Sequence, residues 1–233
     1  MLQIAVLTLV SIVVFLLIIA VLVQRLLYPR LAFVDVLKYP LISVAAQLLA
    51  YVLVLGFMVS VVKRVPERKF WREVHWRWPP NWSAYLFGGV MLSLGLQGLA
   101  HLLPMPRELP IDRFFQTSQE AWVLAIFGMT FAPLMEELFF RGFLYPVLAR
   151  RLGVGISVFL TSASFALLHA PQLGRAWGPV LVIFVVGLAL TVTRVITKSV
   201  APGFLMHVAY NSTISIAIFI VTGGFRHLDR LSQ

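Results

Sequence analysis

Apolar residues in this chain come in long runs, separated by short stretches where polar and charged residues gather. A run of about 18 or more apolar residues has the length of a helix that crosses a bilayer. Runs read in this way extend from Ile4 to Val23, Leu41 to Val62, Ala84 to Leu103, Ala121 to Ala149, Val154 to His169, Val180 to Ile196 and Val200 to Val221. The first ends in Gln24-Arg25 without a basic leader or a small-residue cleavage site, so it is expected to be a retained helix rather than a signal peptide. Pro133 disfavours helix just before it, which predicts a new helical segment starting near Leu134. The pattern predicts an all-α, polytopic membrane bundle of about seven helices (six to eight), with no soluble domain and no internal repeat.

Composition agrees with this reading. Hydrophobic residues make up 60% of the chain and charged residues 12%, against about 45–50% and about 25% in ordinary soluble domains. So few charges could not cover a soluble core, and so many apolar residues exclude disorder. Cysteine is absent, which excludes disulfides, thiolate metal ligands and a cysteine nucleophile. The net charge of +10 would suggest nucleic acid in a soluble protein. Here the cations lie between spans and face lipid headgroups, so membrane lipid is the expected partner and nucleic acid is not. The segment Lys63–Trp82 is the clearest case, with six cations interleaved with Phe70, Trp71, Trp76, Trp78 and Trp82, an interfacial signature. Counting cations by side gives ten against eight, with Arg194 among the ten, a slight lean toward an inside N-terminus.

Three charges break the membrane rule. Glu136, Glu137 and Arg141 lie inside the fourth run, where a charge at a helix centre costs about 2.5–3.5 kcal/mol on insertion scales and is a functional candidate by default. Glu137 and Arg141 are i,i+4 with the acid first, so they share a face and can neutralise each other. Glu136 points about 100° away around the helix, toward another partner. Two further polar pairs follow at the same spacing, Phe165 with His169 and His207 with Asn211. Glu136 lies 14 residues before Arg150, His169 lies 15 after Val154, and Asn211 lies 14 after Thr197. At 1.5 Å per residue each is about 21–22 Å from the same side of the membrane, so the groups are compatible with one depth.

A carboxylate kept from water becomes a usable general base near neutral pH. An imidazole beside it can share the proton or orient the same water, and a second histidine with an amide one turn on offers donors to an oxyanion. The set suits water attack on a carbonyl. Glu-Glu-x-x-x-Arg, Phe-x-x-x-His and His-x-x-x-Asn, in late spans and in that order, resemble the CPBP family of CAAX proteases and bacteriocin-processing enzymes, also called the Abi family. The resemblance covers about residues 120–215 and implies a conical catalytic core of the last four helices. It divides the chain into N-terminal transmembrane helices with the interfacial loop (1–119), the catalytic core (120–222) and a polar tail (223–233). It implies an intramembrane endopeptidase acting on a hydrophobic or lipidated peptide, with Glu136 activating water beside His169. His207 and Asn211 would stabilise the oxyanion or position water, and Glu137, Arg141 and Phe165 would support them.

Glu136, His169 and His207 also have the composition of a His₂Glu zinc site with an open position. The His-Glu-x-x-His motif is absent, however, and an asparagine amide suits an oxyanion better than zinc, so metal-free hydrolysis is the expectation and zinc the alternative. Two other functions use the same residues. One is a non-catalytic immunity or scaffold protein in which the network only holds helices together. The other is a proton-coupled transporter with Glu136 and His169 as relay, although transporters usually carry internal repeats. The short loops suggest a prokaryotic cytoplasmic membrane. Ser157 reads as a helix cap rather than a nucleophile, and His75, His101 and His227 have no evident partner in sequence.

Overall fold

In hydrocarbon every backbone N–H and C=O must find its partner within the chain, and a helix satisfies this segment by segment. The computed structural model describes residues 25–26, 40–65, 67–106, 109–110, 115 and 117–232. The first expected span, Ile4–Val23, lies outside them. Among the described residues every regular element is helical. The chain divides into two units, one ending at Phe70 and one beginning at Trp71.

The first unit contains α1, Pro40–Lys63, which is apolar around its whole circumference. Gln47 Nε2 donates to the Tyr51 hydroxyl one turn on at 2.8 Å, so two polar groups inside the span satisfy each other. Lys63 closes the helix as a cation in the last turn.

The turn of helix α2, Phe70–Glu73, bridges the two units in sequence. The second unit continues with α3 (Trp82–Ala100), α4 (Ser118–Met129), α5 (Phe131–Glu137), a π-helical segment (Leu138–Leu144), α6 (Tyr145–Leu152), α7 (Val154–His169), α8 (Trp177–Thr197), α9 (Ala201–Val221) and a 3₁₀ turn (Leu228–Ser232). Five helical stretches are long and apolar enough to cross a membrane: Ile42–Lys63, Trp82–Ala100, Ser118–Leu152, Trp177–Thr197 and Ala201–Val221. The remaining expected span, α7, is apolar but only 16 residues long. It stops at His169 because Pro171, two residues on, has no N–H with which to extend the ladder. The chain is an integral membrane protein built as a polytopic helical bundle.

The fourth run is one 35-residue stretch broken once. The break falls at Thr130 (φ −123, ψ −73), ahead of the expected start near Leu134. Pro133 thereby becomes the third residue of α5, where an N–H would have no intrahelical acceptor in any case. The start of α4 is set by a reciprocal cap. Thr117 Oγ1 accepts from the Glu120 N–H at 3.2 Å and the Glu120 carboxylate accepts from the Thr117 N–H at 3.1 Å.

Small residues let the helices approach closely. A side chain added at Gly89 of α3 would collide with the Met206 carbonyl of α9, and one at Gly187 of α8 would press on Ser162 of α7 at 3.2 Å. Leu96, Phe140, Phe165, Val186, Leu190 and Tyr210 form the core between them. The tryptophan-rich segment divides between two environments. Trp71, Trp78 and Trp82 are exposed, as membrane-interface residues should be, but Trp76 packs on Phe204 of α9 at 5.4 Å. Beside it the backbone at residues 75–77 is tied to the α8–α9 turn. The Val200 N–H donates to His75 O at 3.1 Å, and Ser199 Oγ accepts from the Arg77 N–H at 3.0 Å and donates to Arg77 O at 2.7 Å. Ser157 proves not to cap α7, because its hydroxyl bonds back to the Gly153 carbonyl at 2.6 Å, inside the first turn.

Candidate functional site

Glu137 ends α5 and Arg141 lies in the π-helical segment that follows, so the two embedded charges sit where the helix widens. Widened turns of this kind are frequent at functional sites. Both side chains are wholly buried and paired, Arg141 Nη1 donating to Glu137 Oε1 at 2.8 Å. The other guanidinium donors reach α8: Nε to Thr191 Oγ1 at 3.2 Å and Nη2 to the Gly187 carbonyl at 3.1 Å. The guanidinium carbon lies 4.7 Å from the centre of the Phe165 ring and 5.7 Å from that of Phe140, close enough for cation–π attraction. A second arginine completes the clamp. Arg194 Nε donates to the Arg141 carbonyl at 3.1 Å. Arg194 is buried in the core, so it is not the headgroup-facing cation that its place in the last turn of α8 suggested.

Glu137 Oε1 has a second neighbour, His207 Nδ1 of α9, at 3.1 Å. A carboxylate oxygen only accepts, so Nδ1 carries the proton, and a neutral His207 presents a bare Nε2 on its other side. That Nε2 lies 3.7 Å from Glu136 Oε2. His169 is arranged alike. Its Nδ1–H donates to the Phe165 carbonyl at 2.7 Å, and its Nε2 lies 3.9 Å from Glu136 Oε1. Both imidazoles thus present the same nitrogen to the same carboxylate, one to each oxygen. The Phe165 ring fixes their planes, with centroids 4.6 Å from His169 and 5.8 Å from His207.

Exposure separates the two glutamates. Glu136 keeps 13% of its side-chain surface open and His169 22%, whereas Glu137 keeps none. Glu136 and His169 therefore keep accessible surface, while Glu137 is sealed inside the core. Glu136, Glu137 and Arg141 together carry one excess negative charge, so a single proton shared among Glu136, His169 and His207 makes the group neutral.

Asn211 is engaged elsewhere. Its Nδ2 donates to the Gly128 carbonyl at 2.7 Å, next to the break between α4 and α5, where a helix end leaves backbone groups in need of partners. The structure therefore brings together Glu136, Glu137, Arg141, Phe165, His169 and His207, and sets Asn211 one turn further along α9 against α4. Among the described residues no three His, Asp or Glu side chains are arranged to hold a metal ion. Glu136, His169 and His207 have the right donor types but not that arrangement, and no step below is routed through a metal.

Sequence reasoning missed the α8 side of the site. Gly187 and Thr191 are i,i+4, a small residue and a hydroxyl on one face of an apolar span, and such pairs mark close helix contacts in membranes.

The comparison with known proteins bears on this region. No curated protein and no solved structure matches the chain. A family model described as type II CAAX prenyl endopeptidase Rce1-like matches residues 117–213, from the cap of α4 to just beyond Asn211. Those residues are similar to an Rce1-like domain, and the three motifs that resemble the CAAX proteases all fall within the matched stretch.

Proposed function

We propose that the chain is an intramembrane endopeptidase, hydrolysing a peptide bond in a hydrophobic or lipidated peptide within the cytoplasmic membrane of a prokaryote. The observation that carries this reading is the convergence of two imidazoles, each with its Nδ1 already engaged, on the partly open carboxylate of Glu136 at 3.7 and 3.9 Å. A water lodged between Glu136 and His169 Nε2 donates one O–H to each. Glu136 takes the first proton as the water oxygen attacks the scissile carbonyl carbon. The tetrahedral oxyanion then needs donors. Protonated His207 offers Nε2–H, and the Asn211 amide offers the N–H not used on Gly128. Collapse of the intermediate breaks the C–N bond, and the proton held by Glu136 passes to the leaving nitrogen. Glu137 and Arg141 do no chemistry in this scheme. They hold His207 in one tautomer, as the carboxylate partner of a catalytic histidine does.

The test is cleavage of a fluorogenic peptide by the full chain in proteoliposomes, run with a prenylated CAAX-ended peptide and with the same peptide lacking the prenyl group. Glu136→Ala and Glu136→Gln should each abolish cleavage of whichever peptide is used, while keeping the elution profile of the folded protein. Cleavage at the parent rate by either variant overturns the reading. A parent protein that cleaves neither peptide but takes up protons in a Glu136-dependent way moves the assignment to transport.

A further inference from the structure

We infer that Gly203 is a positioning residue for the reaction, acting by leaving room for the second glutamate. The inference rests on the functional reading above and adds a residue that lies outside the three motifs. Gly203 stands four residues before His207 on α9, so the two share a face. A Cβ built there would stand 2.9 Å from Glu137 Oε2 and 3.7 Å from the Leu190 carbonyl. The first distance is closer than real Cβ contacts come. The carboxylate therefore rests in the space that any other residue type would fill.

Glu137 has little freedom to give way. Its Oε1 is fixed from two directions, by Arg141 at 2.8 Å and by His207 Nδ1 at 3.1 Å. Arg141 is in turn held by Thr191 and Gly187. Oε2 is wholly buried and has no hydrogen-bond partner among the described residues. Such an orphaned acceptor is costly in an apolar interior, and it lies on the side of the carboxylate that faces Gly203. A methyl group at 203 pushes on Oε2, and the carboxylate can answer only by rotating or withdrawing. Either motion lengthens the bond from His207 Nδ1, which fixes the proton on that nitrogen. Once released, His207 is free to turn its ring and to exchange its tautomer, so Nε2 is no longer held in the position from which it serves the oxyanion.

The experiment compares parent, Gly203→Ala, Gly203→Ala/Glu137→Asp and Glu136→Ala, each as the full chain. Gly203→Ala should lower kcat for peptide cleavage by about 10- to 100-fold with KM within about twofold, the pattern of a misplaced group and not of a lost binding contact. Shortening the acid by one methylene in the double variant withdraws it from the new methyl and should restore part of kcat. A second readout is independent of activity. In ¹⁵N-histidine-labelled protein the His207 ring signals should shift from the Nδ1–H tautomer toward a mixture in Gly203→Ala. Gly95→Ala, which has nothing within 4 Å of its added Cβ, serves as the control for the helix change. A Gly203→Ala protein with parent kcat and parent His207 signals overturns the inference, even where Glu136→Ala is inactive and the protease reading stands. An active Glu136→Ala variant overturns the protease reading instead, and the histidine signals still decide whether Gly203 holds Glu137 in place.

Discussion

Replacing Glu137 by leucine leaves the Arg141 guanidinium in the core without a counter-charge. Both side chains have no exposed surface and lie 2.8 Å apart, so no water is at hand to take over from the lost partner. Breaking such a pair from one side costs about 3–5 kcal/mol, most of it for the uncompensated charge left behind. Thr191, the Gly187 carbonyl and the two phenylalanine rings still hold the guanidinium in place, but they do not neutralise it. His207 Nδ1–H loses its acceptor too, which adds about 1–3 kcal/mol. Arg141→Met strands the carboxylate instead and should cost about the same 3–5 kcal/mol. The double variant buries two apolar side chains and no charge, so it should fall well short of the sum, with a coupling of roughly 3 kcal/mol. The assay is equilibrium unfolding by SDS in mixed micelles, followed through the six tryptophans. A double variant whose cost equals the sum of the singles to within about 0.5 kcal/mol would refute the reasoning, since independent sites add in that way.

Two other predictions use the same preparation. Asn211→Ala should cost about 1 kcal/mol for the lost bond to Gly128 and, if the amide also serves the oxyanion, lower kcat by about 10²–10³; a kcat at the parent level leaves Asn211 a purely structural tie. Treatment with 1,10-phenanthroline followed by dialysis should leave cleavage unchanged, and loss of activity restored by zinc alone would replace the metal-free scheme.

Much of this arrangement follows from spacing. The i,i+4 rule pairs Glu137 with Arg141 and puts Phe165 under His169, and counting residues from the loops brings Glu136, His169 and Asn211 to a common depth. What spacing does not carry is what one helix presents to another. Arg194 was read as a headgroup cation because it lies in a last turn, yet the π-helical segment offers it a carbonyl inside the core. Asn211 is expected from its motif to serve the oxyanion or position water, and spacing gives no hint that the break before Pro133 also puts the Gly128 carbonyl within its reach. Gly203 carries no signal alone, since a glycine in a span has no side chain to suggest a role and its meaning depends on Glu137 lying opposite. In each case the deciding group is backbone, whose availability depends on where a helix bends or widens.

The shortness of α7 has a consequence for the surrounding lipid. Sixteen residues rise about 24 Å, against a hydrocarbon thickness of about 30 Å. The outward-facing leucines at its end, Leu167 and Leu168, still require acyl chains beside them, so the leaflet has to dip to meet the helix. His169 and the turn after it then lie at the floor of a dimple in the membrane surface.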